Sequence, residues 1–439
     1  MDTVPAALTA NMVIAAAILV AAYILLFSEV MHRASAAIVG AVVMVAVGTP
    51  LGFYSQEAAV RAIDGNTMFL LLAMMLVVAM LRPTGAFEYA AIRLTKLAGG
   101  RPMPLMIYLC IAVSVISMFL DNVTTIIIFA PLTVLVTRML TLNPMPFLIA
   151  EAMLSNVGGT ATLVGDPPNI MIGSAGGLTF NQFLTHMLPP VVFVWIGAMG
   201  LVLLLFRSDL QPVQARRIVD LDETQAIKDK PALVRITIAL ALIIALFFTH
   251  HLLHMYPAFA AFVGLAVALI LLRPSIDDLF EEVDWSVLAF FAGLFVIVGG
   301  VQGSGLLDLV GHQLAGLAKD PEQFMFAALA LMWMSAALSA VIDNIPFTVA
   351  MIPIILGLES QGVNITPLWW ALALGVGLGG NGTHVAATAN IIVVTESENS
   401  GFPAARITPA TWARIGVPTT LLTLTVASVF YVTFFELFL

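Results

Sequence analysis

Charge is what this sequence lacks most. Asp, Glu, Lys and Arg make up 10% of its 439 residues, against roughly 25% in soluble domains. A chain of this length could form two or three soluble domains, but not with so few charges to cover them. Cysteine is nearly absent. Cys110 stands alone, which excludes a disulfide framework and a thiolate metal cluster, and no cofactor or metal is expected. Residues Met1–Asn11 hold no Lys or Arg, so the basic region of a cleaved signal peptide is missing. The apolar run behind them is expected to be the first span. No nucleic-acid partner is expected either.

What is abundant is apolar length. Hydrophobic residues make up 61% of the chain, and runs such as Met12–Phe27, Ala36–Val47, Val191–Phe206 and Ile236–Phe248 have the dimensions of bilayer helices. The class is an all-α polytopic membrane protein.

The chain also repeats itself. Ser117, Asp121, Asn122 and Pro131 return as Ser339, Asp343, Asn344 and Pro353, 222 positions later. Gly158, Gly159, Thr162 and Asn169 return as Gly379, Gly380, Thr383 and Asn390 at an offset of 221. Asp64 and Gly85 return as Asp284 and Gly305 at 220. Blocks in one order with so little drift mark a duplicated unit.

Each half reads as five spans plus one re-entrant hairpin. The hairpins are expected at 105–139 and 324–357, with Asp121-Asn122 and Asp343-Asn344 at their tips. The arm Leu105–Leu120 would be about 24 Å long at ~1.5 Å per residue, short for a ~30 Å core. Two short full spans around an outside turn are the alternative, but polar tips suit a buried site better. Interrupted helices are expected at 147–175 and 366–395, and closing helices at 188–206 and 415–438. The halves are 1–206 and 236–439, joined by a charged linker, 207–235.

Five is odd, so the second half must sit upside down relative to the first. With the N-terminus outside, the inner face receives 15 of the 17 cations and the outer face only Arg61 and Lys319. That bias supports ten spans, both termini extracytoplasmic and a cytoplasmic linker.

An ionisable residue in the bilayer core costs at least ~2.5–3.5 kcal/mol and needs a reason. Asp121, Asp343, Asp166 and His384 fall there. The segment Ser155–Asn169 contains Gly158, Gly159, Gly165, Pro167 and Pro168, so it breaks a helix in mid-membrane. Its counterpart, Gly377–His384, breaks by glycine. Interrupted helices in matching positions of inverted halves point to a transporter site, where half-helix N-termini meet substrate and carboxylates hold a cation or proton. Close packing would account for any one glycine, but it does not require Asp-Asn at both tips.

The residues weigh differently. Asn169 and Asn390 either bind substrate or hold the break by side-chain hydrogen bonds. Asp166, with Ala387 in the matching slot, is either a coupling carboxylate or a helix cap. A lone histidine such as His384 is usually a packed one. Glu151 and Glu396 fall towards span ends and are expected at the interface, as are Asp64 and Asp284.

These blocks resemble the ion-transporter superfamily, which includes dicarboxylate symporters, NhaD-type sodium/proton antiporters and arsenite permeases. Phe119–Thr125, Asn156–Asn169, Ile342–Thr348 and Leu378–Thr383 are most similar to its arsenite permease and P-protein branch. The resemblance implies a scaffold from the first spans of each half (11–100 and 236–316) and a moving unit of hairpins and broken spans. Dimers occur in relatives, so a homodimer is open, as is a cytoplasmic ATPase on the inner loops.

Dicarboxylate carriers of this fold have Ser-Asn-Thr at the tips, where this chain has Asp-Asn. At ~4 Å and an effective dielectric of ~20, each like-charge contact with a dianion would cost about 4 kcal/mol. A neutral polyhydroxyl solute escapes that penalty. The expected function is therefore proton-coupled efflux of arsenite or antimonite across the inner membrane, not an enzymatic reaction. Asp121, Asp343 and Asp166 would couple protons, and Asn122, Thr162, Asn169, Asn344, Thr383 and Asn390 would hold substrate. Thr160, Asn381 and His384 are secondary candidates. The rivals are a sodium/proton antiporter, an anion path as in P-protein relatives and, remotely, an intramembrane aspartyl protease.

Overall fold

A computed structural model describes residues 8–27, 30–211, 223–310, 321–341, 344–359 and 361–439. Asp343 lies outside the described residues, as do Arg216, Arg217 and Lys319. Among the described residues the chain is all helix, with no strand.

The first half runs α1 (Ala10–Phe27), α2 (Arg33–Gly48), short α3 (Gln56–Ala62), α4 (Gly65–Leu81), α5 (Ala86–Leu97), α6 (Pro102–Ser117), α7 (Asn122–Met139), α8 (Met145–Gly159), α9 (Pro167–Ala175) and α10 (Phe180–Leu205). The second runs α11 (Lys230–Thr249), α12 (Pro257–Leu272), short α13 (Ile276–Glu281), α14 (Trp285–Gly303), α15 (Pro321–Ser339), α16 (Asn344–Glu359), α17 (Thr366–Gly379), α18 (Thr388–Asn399) and α19 (Pro409–Thr433). Among the described residues, six helices are long and apolar enough to cross a bilayer: α4 with its extension to Thr84, α7, α10, α11, α14 and α19.

Local chemistry sets the starts. Asp64 caps α4 through the Asn66 amide at 3.1 Å, and Asp284 caps α14 through the Val287 amide at 3.1 Å. This is the work of the two acids read as interfacial. Both helices end in the same left-handed turn, at Gly85 (φ 83°) and Gly305 (φ 81°), where a side chain would be strained. Thr179 and Gln182 form a capping box that starts α10 ahead of its apolar run. Asp229 likewise starts α11 before the apolar stretch, accepting from the Ala232 amide at 2.9 Å.

Packing repeats crosswise between the halves. Helix α2 lies on α14 as α12 lies on α4, and α7 lies on α18 as α16 lies on α9. Within each half, α6 packs on α8 as α15 packs on α17. Exchange of partners of this kind is what a two-fold relation between inverted repeats produces, and α10 pairs with α19 across it. The α6–α8 approach is so close that a Cβ on Gly158 would stand 2.5 Å from the Ser114 carbonyl oxygen. In the other half a Cβ on Gly379 would stand 2.5 Å from that of Ala336. Only glycine permits either crossing.

Candidate transport site

Each interrupted span is two helices with an unwound link, 160–166 between α8 and α9 and 380–387 between α17 and α18. Unwinding strands backbone carbonyls away from water, and one asparagine in each half gathers them. Asn169 Nδ2 donates to Gly159 O at 3.1 Å and Thr162 O at 2.9 Å. Asn390 Nδ2 donates to Gly380 O at 2.7 Å and Thr383 O at 2.9 Å. Of the two roles open for these asparagines, this is the one that holds the break. The link threonines tie it to the hairpin tips, Thr162 Oγ1 donating to Met118 O and Thr383 Oγ1 to Ala340 O.

Between the links lies a buried amide cluster that joins the two halves. Asn122, at the first tip, donates to Asn156 Oδ1 at 3.1 Å. Asn156 Nδ2 donates in turn to Asn381 Oδ1 at 2.9 Å and Asn390 Oδ1 at 3.1 Å. Asn381 Nδ2 reaches back to Met153 O at 3.2 Å. Asn344, at the second tip, accepts from Ser339 Oγ. Asn122, Asn381 and Asn390 are thus brought together on Asn156, while Asn344 and Asn169 bond within their own halves, and Thr160 sits beside the cluster, donating to Asn156 O at 2.8 Å. His384 is half-buried outside the cluster.

Asn156 is the hub, and sequence reasoning passed over it although it lies inside a motif block. Its signal was a bare amide in an otherwise apolar stretch. Its counterpart at offset 221 is Gly377, and the counterpart of Thr160 is Asn381. The fold pairs them crosswise. Asn156 bonds Asn381, while a Cβ on Gly377 would stand 2.2 Å from Thr160 Oγ1. One side of the axis is an amide pair and the other a Thr–Gly contact.

Asp121 caps α7, its carboxylate accepting from the Thr124 amide at 2.9 Å and from Thr124 Oγ1 at 2.5 Å. This gives the tip acid a structural task that the sequence did not disclose. Asp166 stands at the N-cap position of α9 with extended backbone (φ −148°, ψ 138°), and Ala387 holds the same place before α18 (φ −139°, ψ 144°). Glu151, read as reaching the interface, is instead wholly buried, because α8 runs through the middle of the fold with every side wrapped.

A cavity of about 100 Å³ opens beside the first tip. Asp121, Thr124, Ile345, Pro167, Thr388 and Arg33 line it, so the first turns of α7, α16, α9 and α18 all face one space. Arg33, at the start of α2, donates to Thr388 Oγ1 at 2.9 Å. Nothing in the sequence set Arg33 apart from other loop cations; only the fold brings it in. Arg82 and Glu282, paired at 2.9 Å, line it as well. Each helix N-terminus carries roughly half a positive charge, so four supply about +2, against which Asp121 is set. Such a space presents amide and hydroxyl donors of the kind that oxygen-rich groups accept from.

The sequence profile of the citrate transporter family matches residues 23–375. An uncharacterized transporter of Mycobacterium tuberculosis is 40% identical over 89% of this chain and 92% of its own length. A 46 kDa membrane protein of Mycobacterium leprae is 35% identical over 95% of this chain and 97% of its own length. The human P protein is 32% identical over 89% of this chain, which spans 56% of that longer protein. In three dimensions the chain resembles the YdaH transporter of Alcanivorax borkumensis, with a TM-score of 0.60 at 15% identity, over 97% of this chain and 99% of the other. The chain therefore belongs to the citrate transporter family of secondary transporters, within the ion-transporter superfamily.

Proposed function

We propose that the chain exchanges protons for arsenite or antimonite across the cell's inner membrane, exporting the metalloid acid with both termini outside. The carrying observation is the convergence of four helix N-termini and the Asp121 carboxylate on one cavity. The helix ends and Arg33 offer donors to oxygens, while Asp121, Asp284 and the Arg82-paired Glu282 on the cavity wall offset most of their charge, a setting suited to a neutral hydroxylated solute. Protonation of Asp121 and Asp166, and of Asp343 at the second tip, would alternate with cargo binding, because an ionised carboxylate accepts a hydrogen bond from a solute hydroxyl and loses that role once it is protonated. The hairpins and interrupted spans form the moving unit, and α1–α4 and α11–α14 the scaffold. Use of Asp121 as a helix cap favours transport over a protease dyad.

One observation favours a second cargo. Arg33 places a guanidinium in the cavity, a natural partner for a carboxylate, and the family is described as citrate transporters. Once its acids are protonated the cavity would accept such an anion. Proteoliposomes loaded with a pH dye decide among the cargoes when arsenite, citrate and sodium chloride are offered separately. Proton movement triggered by arsenite alone supports the first reading. A response to citrate but not arsenite transfers the assignment to the second, and a response to sodium alone defeats both.

A further inference from the structure

We propose that Glu151 is a proton-binding site separate from the hairpin tip, and that proton loading there holds the hairpin arm α7 against α8. Its role in coupling rests on the transport reading above; its existence as a site does not. Glu151 sits in α8, five residues before Asn156, or about 7.5 Å along the helix at ~1.5 Å per residue. It is fully buried. Thr133 Oγ1 of α7 donates to its Oε1 at 2.6 Å, and its Oε2 is buried with no hydrogen-bond partner among the described residues.

The duplication provides an internal control on whether packing needs this carboxyl. At the same offsets, Cys110, Thr133 and Glu151 correspond to Met332, Ile355 and Leu372, and all three of the latter are buried. The second half therefore fills all three of these positions with apolar side chains. An unsatisfied buried polar atom costs about 1–3 kcal/mol, so a carboxyl in the first half is a liability for packing. A group that costs stability and is not needed for the fold is a candidate for use during the cycle.

Among the described residues, the surroundings of Glu151 suit a proton as its ligand. Helix α17 has no titratable side chain. Helix α6 brings Cys110, which is buried, and Tyr108, which faces outward. Helix α10 brings His186, stacked on Trp370 at 4.5 Å. Helix α7 brings Arg138, which donates to Ser400 O at 2.5 Å, and the capping Asp121. Helix α18 brings Glu396, half-buried, and Glu398, paired with Arg406 at 3.7 Å. No cation is engaged with Glu151 among the described residues, so the closed seam accommodates the neutral acid. Separation of α7 from α8 would withdraw Thr133, admit water and release the proton. Seam opening and proton release are then one event.

Two variants test this. Glu151→Gln keeps the shape and the acceptor for Thr133. The pair Glu151→Leu with Thr133→Ile copies the second half and so preserves packing. Infrared spectra of the purified protein at neutral pH should show a protonated-carboxyl band that vanishes in Glu151→Gln; identical spectra overturn the site. In proteoliposomes, arsenite-triggered proton movement should fall about tenfold or more in both variants, a loss of ordinary coupling size. Exchange of labelled for unlabelled arsenite at equal pH should persist. Unchanged proton movement in both variants would overturn the coupling role. If the parent moves no arsenite, the cargo assignment fails, and the infrared comparison still decides the site.

Discussion

Thr160 and Gly377 touch where pseudo-symmetry would place the partners of an amide pair. Their counterparts, Asn381 and Asn156, hydrogen-bond at 2.9 Å on the other side of the axis. A Cβ on Gly377 would come within 2.2 Å of Thr160 Oγ1, 3.0 Å of its Cγ2 and 3.1 Å of its Cβ. The duplication has therefore diverged at its own centre. One contact became polar and specific, the other small and close.

That contact gives the first prediction. Gly377→Ala should lower stability by about 1–3 kcal/mol, the usual range for overpacking. Thr160→Ala removes both atoms nearer than 3.1 Å, so the double variant should recover most of the loss. Thermal unfolding in detergent reads both, and strict additivity of the two single effects would refute the contact.

Asn156 should be far less tolerant than a bare amide suggests. Asn156→Ala removes the acceptor for Asn122 and the donor to Asn381 and Asn390. Each buried group left unpaired costs about 1–3 kcal/mol. Transport should fail and the melting temperature should drop together. A variant that melts like the parent but carries no cargo would show that the amide contacts substrate rather than joining the halves.

Asp121 separates charge from shape. Asparagine is as good an N-cap as aspartate, whereas alanine costs about 0.5–2 kcal/mol. Asp121→Asn should therefore melt close to the parent, while Asp121→Ala should melt earlier. If the charge exchanges protons, both variants lose pH-driven transport. Retention of pH-driven transport in Asp121→Asn would reduce this acid to a cap.

Much of this was legible beforehand, for a physical reason. Apolar length, loop cations and the return of Asp121-Asn122 as Asp343-Asn344 are one-dimensional signals, and they imply an inverted all-helical architecture. The breaks were legible because Gly and Pro act through their own backbones. What did not show was anything dependent on which side of a helix faces inward. Arg33 reads like any loop cation until the start of α2 is placed beside Thr388. Glu151 reads as interfacial until α8 is seen wrapped on all sides. Asn169 was recognised, but its choice of partner, two stranded carbonyls, needs coordinates.

The linker between the halves should act as a latch on α5, the helix that joins scaffold to hairpin. Glu223 pairs with Arg93 at 3.0 Å and with Lys96, and Lys228 pairs with Glu88 at 3.1 Å. The Lys228 amide donates to Thr84 O at 3.0 Å, and Ala226 O sits where a Cβ on Gly85 would be. The Lys96 hydrogen bond is the main reason the Glu223 carboxyl is held below its ordinary range. A carboxyl shifted down on folding contributes fully above its unfolded value, near ~4, and loses that contribution as pH falls through the shifted one. The latch should therefore be intact at neutral pH, weaken only in acid, and loosen with salt, since exposed pairs are screened over about 10 Å at 0.1 M. Hydrogen exchange across 223–229 reads it: slow at neutral pH and low salt, faster at high salt. In Glu223→Gln it should be fast at neutral pH and insensitive to mild acid. Exchange that ignores salt, pH and the substitution alike would leave the backbone contacts at Thr84 and Gly85 as the sole attachment.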